Sequence, residues 1–211
     1  METIGILNQL SSPRGDLTEA SNKRVSATVL GAPVLLDEIA QGLKSTDPKL
    51  AGDCAEVMTL VAEAQPDLVA PYADALIARL AHQNTRVRWE VMHCLAGIAA
   101  RVPNKIAPIM RTLDDMIALD KSVIVRDHAI RTLGVYGSTS PTAARRVWPH
   151  LREALVLWDG KHASKALAAM QKLVRVDATL KTDAQKVARR FIEHKRVSVR
   201  TVAKRLLKEV A

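Results

Sequence analysis

The 211-residue sequence has few aromatic residues, two cysteines and no long apolar run. Only six residues are Phe, Trp or Tyr, although 48% of the chain is apolar. Such a core must be built from aliphatic side chains, which favours close-packed helices over sheets. The cysteines, Cys54 and Cys94, are too few for a disulfide scaffold, and we expect both to be small buried residues in a reducing compartment.

The sequence shows no signal for membrane insertion or secretion. No apolar stretch approaches the roughly 18 residues that a membrane span requires. A positively charged start followed by a long apolar run, which would predict a signal peptide, is also missing. We therefore expect a cytoplasmic protein.

The short motifs of the common enzyme classes are missing as well. The sequence contains no Gly-rich phosphate loop, no Gly-x-Ser-x-Gly elbow and no His-Glu-x-x-His. His93, Cys94 and His128 are residue types that bind metals, but a site there would still want a fourth ligand. We interpret them as core and surface residues, and we expect binding without a cofactor rather than catalysis.

The net charge of +9 conceals a difference between the two halves of the chain. Residues 1–100 contain 8 Lys and Arg against 12 Asp and Glu, whereas residues 101–211 contain 23 against 10. This split indicates a positive surface in the C-terminal half.

The stretch SVIVRDHAIRTLGVYGS, at 122–138, is one copy of a sequence repeat. Its helical apolar positions recur with a period of about 37 residues, and only His162 and Lys204 interrupt the register. The five sets are Leu50, Cys54, Ala55, Met58, Val61; Val87, Val91, Met92, Leu95, Ile98; Val125, Ala129, Ile130, Leu133, Tyr136; His162, Ala166, Leu167, Met170, Leu173; and Val199, Ala203, Lys204, Leu207, Val210. A second helical pattern lies between successive copies, so each repeat is predicted to be a first helix, a turn, a second helix and a turn.

A two-helix unit of this length resembles the HEAT repeat. The resemblance rests on the segments DPKLAGDCAEVMTLVAEAQPDLVAPYADALIARL, NTRVRWEVMHCLAGIAARVPNKIAPIMRTLDDMI and KSVIVRDHAIRTLGVYGSTSPTAARRVWPHLREAL. It also rests on a Val-Arg pair early in the first helix, at Val87–Arg88, Val125–Arg126 and Val199–Arg200. Armadillo repeats are the nearest alternative, although they usually need a third helix for which 37 residues leave little room.

The resemblance implies an all-α fold, a right-handed α–α superhelix of about five helical-hairpin repeats with capping helices. We expect one HEAT-like solenoid domain over 1–211. It would comprise a divergent N-terminal cap at 1–45, regular repeats at 46–196 and a C-terminal capping helix at 197–211. Within the cap we expect helices at 1–10, 16–30 and 33–43. The second helices would line the concave side.

The resemblance also assigns a role to the repeated arginine. In HEAT proteins the equivalent residue commonly ties neighbouring repeats together through acidic partners. For Arg88, Arg126 and Arg200 we therefore expect a structural role, with Asp47 and Asp120 as candidate partners.

The second helices of the C-terminal half carry a cluster that we call the basic strip. Arg145, Trp148 and Arg152 share one helix face at i, i+3 and i+7. The complete strip is Lys105, Arg111, Arg145, Arg146, Trp148, Arg152, Lys181, Lys186, Arg189 and Arg190. We predict that it binds an acidic protein or peptide, since concave repeat surfaces commonly hold peptides.

Two alternatives stay open for the same surface. DNA or RNA would neutralise the strip with its phosphates, and Trp148 would then either stack on a base or pack half-buried. Some alkylpurine DNA glycosylases are built from HEAT-like repeats and use Trp residues and a catalytic Asp. The adjacent pair Trp158–Asp159 is similar in type only, because that family's local motif is not found here. Asp159, before Gly160, is interpreted as a turn residue.

Overall fold

A computed structural model describes residues 5–211, and this part of the chain is helical without a strand. The all-α class is therefore confirmed. The internal contacts divide the chain into two compact units, Met1–Val102 and Pro103–Ala211. Within 5–211 no helix is both long enough and apolar enough to cross a membrane. The single solenoid domain over 1–211, with its cap boundaries, stays a prediction.

The N-terminal unit is built around α3, whose central residues are all buried and which packs on α6. Its helices are α1 (Ala20–Gly31), α2 (Leu36–Gly42), α3 (Pro48–Ala64), α4 (Pro66–Val69), α5 (Ala73–Ile77) and α6 (Thr85–Ile98), with 3₁₀ turns at Ile6–Gln9, Pro33–Leu35 and Ala70–Tyr72. Residues 1–4 of the short helix expected at 1–10 lie outside the described residues. Helix α1 begins at Ala20 rather than Asp16, because the Asp16 carboxylate accepts from the backbone N–H groups of Thr18 and Ser21 in a turn before the helix.

The C-terminal unit contains two layers of helices. Its helices are α7 (Pro103–Ile106), α8 (Met110–Leu119), α9 (Val123–Gly137), α10 (Pro141–Ala154), the single turn α11 (Leu157–Gly160), α12 (Ala163–Val176), α13 (Lys181–Phe191) and α14 (Val197–Glu209), with 3₁₀ turns at Ala107–Ile109 and Ala178–Leu180. The first helices of the repeats, α9, α12 and α14, pack side by side in one layer. The second helices α10 and α13 pack against them from the other layer.

The apolar register predicted from the sequence is the core of both units. All five members of the sets beginning at Val87, Val125 and His162 are buried. In the last copy, Leu206 is buried in place of the expected Leu207. His162 interrupts the apolar pattern and is nevertheless only 1% exposed. A buried imidazole needs hydrogen-bond partners, so this position requires polar neighbours that the other repeats do not have.

The helix starts follow local capping rules. Asp47, Asn84, Ser122 and Ser140 each accept a hydrogen bond from a backbone N–H in the first turn of the helix that follows. Such caps satisfy donors that would otherwise have no intrahelical partner. A proline stands at the first position of several helices, as at Pro141, where its missing N–H costs nothing.

In two repeats the second helix is interrupted, which the apolar pattern does not predict. The interruptions lie at the 3₁₀ turns Ala70–Tyr72 and Ala107–Ile109, and each contains a proline, Pro71 or Pro108. Proline lacks the N–H that would continue the helical hydrogen bonding, so the chain tightens there before α5 or α8 begins. Pro149 lies inside α10, which nevertheless continues through it.

Candidate functional site

The basic strip lies on second helices of the C-terminal unit that are joined by hydrogen bonds. Facing the next repeat, Trp148 donates from Nε1 to Oδ2 of Asp183 at 2.7 Å. Arg152 reaches the same Asp183 oxygen at 3.4 Å, and Arg145 pairs with Asp177 at 2.5 Å. The three residues predicted to share a face of α10 therefore do so, and all three point towards α13 and the turn before it.

The opposite side of α10 contacts the preceding repeat. Arg146 donates to the backbone oxygen of Ala107 at 3.4 Å, and Nδ1 of His150 lies 2.7 Å from Oδ2 of Asp114. Burial raises the pKa of the Asp114 carboxyl above its ordinary value, although the hydrogen bond and charge interaction with His150 lower this pKa in part. Helix α10 is thus held on both sides, so α8, α10 and α13 lie next to one another.

Nine of the ten strip residues are cations that are exposed or half-buried. Lys105 on α7 is half-buried, and the exposed set is Arg111, Arg145, Arg146, Arg152, Lys181, Lys186, Arg189 and Arg190. Within 5–211 the structure gives Lys186, Arg189 and Arg190 no ion pair or hydrogen bond. Helix α13 carries these three cations and Lys181 against the single carboxylate of Asp183.

Trp148 is the one strip residue that the structure removes from the exposed surface. Its indole is 5% exposed and bonded to Asp183. A ring this buried offers a base little surface for stacking, so its place in the basic strip stays a prediction. The alternative interpretation as a packing tryptophan fits its position.

The repeated arginine bonds to backbone carbonyls of the turn before the first helix. Arg88 donates to the carbonyl of His82, six residues earlier, and Arg200 donates to that of His194 at the same spacing. Arg126 likewise donates to the carbonyl of Asp120. The guanidinium therefore closes the turn before the first helix, which is a structural role as expected.

Asp47 and Asp120, the acidic residues predicted as partners of these arginines, each accept a hydrogen bond from a backbone N–H at a helix start. The carboxylate of Asp47 caps α3 by accepting from Lys49 N, and Oδ1 of Asp120 accepts from Ser122 N. Both carboxylates thus stabilise a helix start, and their pairing with the repeated arginines stays a prediction.

One repeated arginine, Arg126, is deeply buried, and we call its surroundings the Arg126 cluster: Arg126, Asp127, Trp158 and His162. Arg126 is 2% exposed, and its Nε donates to Nε2 of His162 at 2.8 Å. Nε2 must therefore be the unprotonated nitrogen, so Nδ1 carries the hydrogen and donates it to Asp127 at 2.7 Å. The guanidinium also lies 3.9 Å from the centre of the Trp158 ring, a cation–π contact.

The turn that presents Trp158 has an unusual backbone. Trp158 and Asp159 both have a positive φ, 53° and 54°, and Gly160 follows at 64°. A left-handed conformation costs a residue with a side chain about 1–2 kcal/mol. The Nε1 hydrogen bond from Trp158 to the carbonyl of Ile117, at 2.9 Å, helps to hold the turn. Asp159 pairs with Lys195, which lowers the pKa of its carboxyl, and it occupies the turn position that the sequence predicts.

The N-terminal unit contains a buried carboxylate network of its own. Asp53 accepts from Ser12, Asn22 and Arg86, and Glu56 shares the same Arg86 at 2.8 Å. Burial works to raise the pKa of Asp53, but these hydrogen bonds outweigh it and hold the pKa below its ordinary value. Glu90 lies beside the network, and burial raises the pKa of Glu90 to about 7.

Neither a metal site nor a reactive thiol emerges from the described residues. Across 5–211, no three His, Cys, Asp or Glu side chains are grouped so as to hold a metal ion. Cys54 and Cys94 are fully buried, as predicted. Burial raises the pKa of the Cys54 thiol to about 12 and that of Cys94 further, so neither forms a thiolate near neutral pH.

No family model and no curated protein matches the sequence, whereas solved structures do. A designed armadillo repeat protein in complex with the peptide (KR)4 is similar over 98% of this chain and 98% of its own, at 14% identity and a TM-score of 0.71. An engineered protein is similar over 97% of this chain and 94% of its own, at 16% identity and a TM-score of 0.69. Computationally designed armadillo repeat proteins for modular peptide recognition are similar over 97% of this chain, at 14% identity and a TM-score of 0.68.

The chain has an α-helical repeat fold. This repeat fold confirms the helical solenoid class predicted from the 37-residue period, of which HEAT and armadillo repeats are close variants. At identities of 14–16% the likeness concerns the fold alone.

Proposed function

We propose that this protein is a non-enzymatic binding scaffold whose basic strip holds an acidic segment of a protein partner. The observation that carries the proposal is the exposed cation set of α13, where Lys186, Arg189 and Arg190 have no carboxylate partner among residues 5–211. Unpaired cations on adjacent helices create a positive potential that attracts acidic ligands.

The paired members of the strip support the same proposal. Arg145 and Arg152 are bonded to Asp177 and Asp183, yet about half of each arginine side chain is exposed. A guanidinium that is fixed by one carboxylate still has further N–H donors, so it can bind a ligand with little loss of side-chain freedom. The C-terminal unit keeps a large excess of positive charge, with 22 Lys and Arg against 10 Asp and Glu.

The fold also supports a peptide ligand. One structural neighbour was solved in complex with the peptide (KR)4, and others were designed for peptide recognition. Here the strip has the opposite charge to a surface that would bind Lys and Arg, so we propose an acidic peptide. Burial of Trp148 removes the aromatic platform on which a single-stranded nucleic acid would stack. Protein is therefore favoured over the nucleic-acid alternative.

The test is a binding titration with the full chain. A fluorescent acidic helical peptide, with Glu and Leu at helical spacing, should bind, and the double reversal Arg189→Glu/Arg190→Glu should weaken it about tenfold or more. Each exposed charge pair contributes up to about 1 kcal/mol. The matched control is Lys204→Glu/Arg205→Glu on α14, which makes the same charge change in the other helix layer and should have a much smaller effect.

Oligonucleotides provide the second arm of this titration. Nucleic acid would bind with a log affinity that falls linearly with log salt, by about 0.9 per phosphate contacted in duplex DNA. Duplex binding that is tighter than peptide binding and sensitive to the α13 reversal would assign the strip to nucleic acid instead. Equal losses from the α13 and α14 reversals would contradict a defined site.

A further inference from the structure

A second positive feature lies in the other helix layer of the C-terminal unit, between the first helices α9 and α12. It is a cleft of about 320 Å³ whose lining includes Ile124, Asp127, Arg131, Gly134, Lys165 and Lys172. We call it the cationic cleft. No residue of the basic strip lines it, so it is a separate feature.

The cleft is shaped by small residues where the two helices meet. A Cβ on Gly134 would lie 2.6 Å from the Cβ of Ala169, so the helix backbones approach closely there. Ala168 and Ala169 form an apolar floor, and the exposed Ile124 adds an apolar wall near the start of α9. The longer side chains of Arg131 on α9 and of Lys165 and Lys172 on α12 line the cleft around this floor.

The charges around this floor are mostly uncompensated. Arg131, Lys165 and Lys172 are exposed, and within 5–211 the structure gives them no hydrogen bond or ion pair. Asp127 is the one carboxylate in the lining, and its Oδ1 is bonded to Nδ1 of His162. In the same unit Arg145, Arg152 and Arg175 each have a carboxylate partner.

The cations of the cleft have long side chains that can turn towards a single anion. Lys165 and Lys172 are seven residues apart on α12, which is two helical turns or about 10 Å. Arg131 faces them from α9, and its planar guanidinium can donate two parallel hydrogen bonds to phosphate oxygens. A phosphate monoester carries about −1.5 to −2 charges at pH 7 and so can engage all three cations.

From this geometry we propose that the cationic cleft binds the phosphate monoester group of a small organic molecule, with the organic part on the apolar floor. A volume near 320 Å³ lies at the lower end of the range for small-molecule sites. Arg131 and Lys165 hold the phosphate, Lys172 adds positive charge, and Ile124 contacts the organic part.

The test uses phenyl phosphate as the probe, with inorganic phosphate and phenol as its charged and apolar halves. Calorimetric titration of the full chain should show one molecule of phenyl phosphate bound, about tenfold or more tighter than inorganic phosphate. Arg131→Gln and Lys165→Gln should each weaken binding about tenfold, since a hydrogen bond to a charged group is worth at least this factor. Lys204→Gln on α14 is the matched control and should leave the affinity unchanged.

Three results would overturn this proposal. The first is phenyl phosphate binding no more tightly than inorganic phosphate. The second is an affinity that is unchanged by Arg131→Gln and Lys165→Gln in variants whose circular dichroism shows an intact fold. A phosphoserine peptide that binds more than tenfold tighter than phenyl phosphate would assign the cleft to a protein ligand. The α13 reversal that tests the basic strip should leave phenyl phosphate binding in place, so the two proposals can fail separately.

Discussion

Replacing Arg126 by Met tests whether the Arg126 cluster makes this arginine different from its repeat equivalents. Methionine keeps most of the apolar stem and removes the guanidinium. The change deprives Nε2 of His162 and the carbonyl of Asp120 of their donor, in a site where Arg126 is 2% exposed. It also removes the contact with the Trp158 ring.

The expected loss of unfolding free energy follows from these contacts. An acceptor left without a partner in a buried site costs about 1–3 kcal/mol, and a partly buried cation–π contact contributes about 0.5–2 kcal/mol. Because such terms are not additive, we expect Arg126→Met to destabilise the C-terminal unit by about 3–5 kcal/mol. Arg200→Met removes hydrogen bonds to the carbonyls of His194 and Lys195 at a partly exposed position, where water can replace them, so about 1 kcal/mol is expected.

Urea unfolding followed by circular dichroism measures both variants, and both report on the same unit. A double-mutant cycle adds His162→Val, which introduces the residue found at the equivalent positions 87 and 125. The two changes should be coupled by about 1 kcal/mol or more, because the double variant no longer contains a buried imidazole without a donor. Equal losses for Arg126→Met and Arg200→Met, or additivity within about 0.5 kcal/mol, would refute the reasoning.

Three further changes test other parts of the structure by the same unfolding measurement. Glu90→Gln should stabilise the protein at pH 8 by up to about 3 kcal/mol and have little effect below pH 4.5. The pKa of Glu90 is about 7 in the folded protein and 4.5 ordinarily, so the stability of the wild-type protein falls as the pH rises from about 4.5 to 7. Asp159→Gly should stabilise by up to about 1 kcal/mol because glycine adopts a positive φ without strain, and a loss would contradict the left-handed turn. Gly134→Ala should destabilise by about 1–3 kcal/mol through its 2.6 Å approach to Ala169, whereas the control Gly97→Ala, with ordinary contacts, should stabilise by up to about 1 kcal/mol.

The fold could be predicted because a helical repeat produces one strong sequence signal, an apolar pattern with a constant period. The first-helix positions that recur every 37 residues are buried at almost every copy, and the capping residues stand where the helices begin. The interruption of the second helix at Pro71 and Pro108 has a sequence signal, the proline itself. Proline is compatible with a helix start as well as with a break, so the pattern alone does not distinguish them.

The site was less predictable because it depends on contacts between repeats. Arg145 and Arg152 are cations in the sequence, but only the structure brings Asp177 and Asp183 against them. The burial of Trp148 has the same origin, since its partner Asp183 is 35 residues away. His162 was a usable signal: a polar residue at a core position predicts a buried polar cluster, although not its members.

Net charge cannot locate a binding site on the C-terminal unit, because its cations lie on both helix layers. The carboxylates are what make one cation differ from another: Asp177 and Asp183 neutralise part of the basic strip, whereas Asp127 in the cationic cleft is engaged by His162. If the net positive charge of the unit were responsible for binding, charge changes of equal size at any position would weaken the binding of every anion by the same factor. A crossed experiment therefore decides the matter. Arg189→Glu/Arg190→Glu should weaken the acidic peptide and spare phenyl phosphate, and Arg131→Gln/Lys165→Gln should do the reverse, since screening in physiological salt confines each charge to roughly 8 Å.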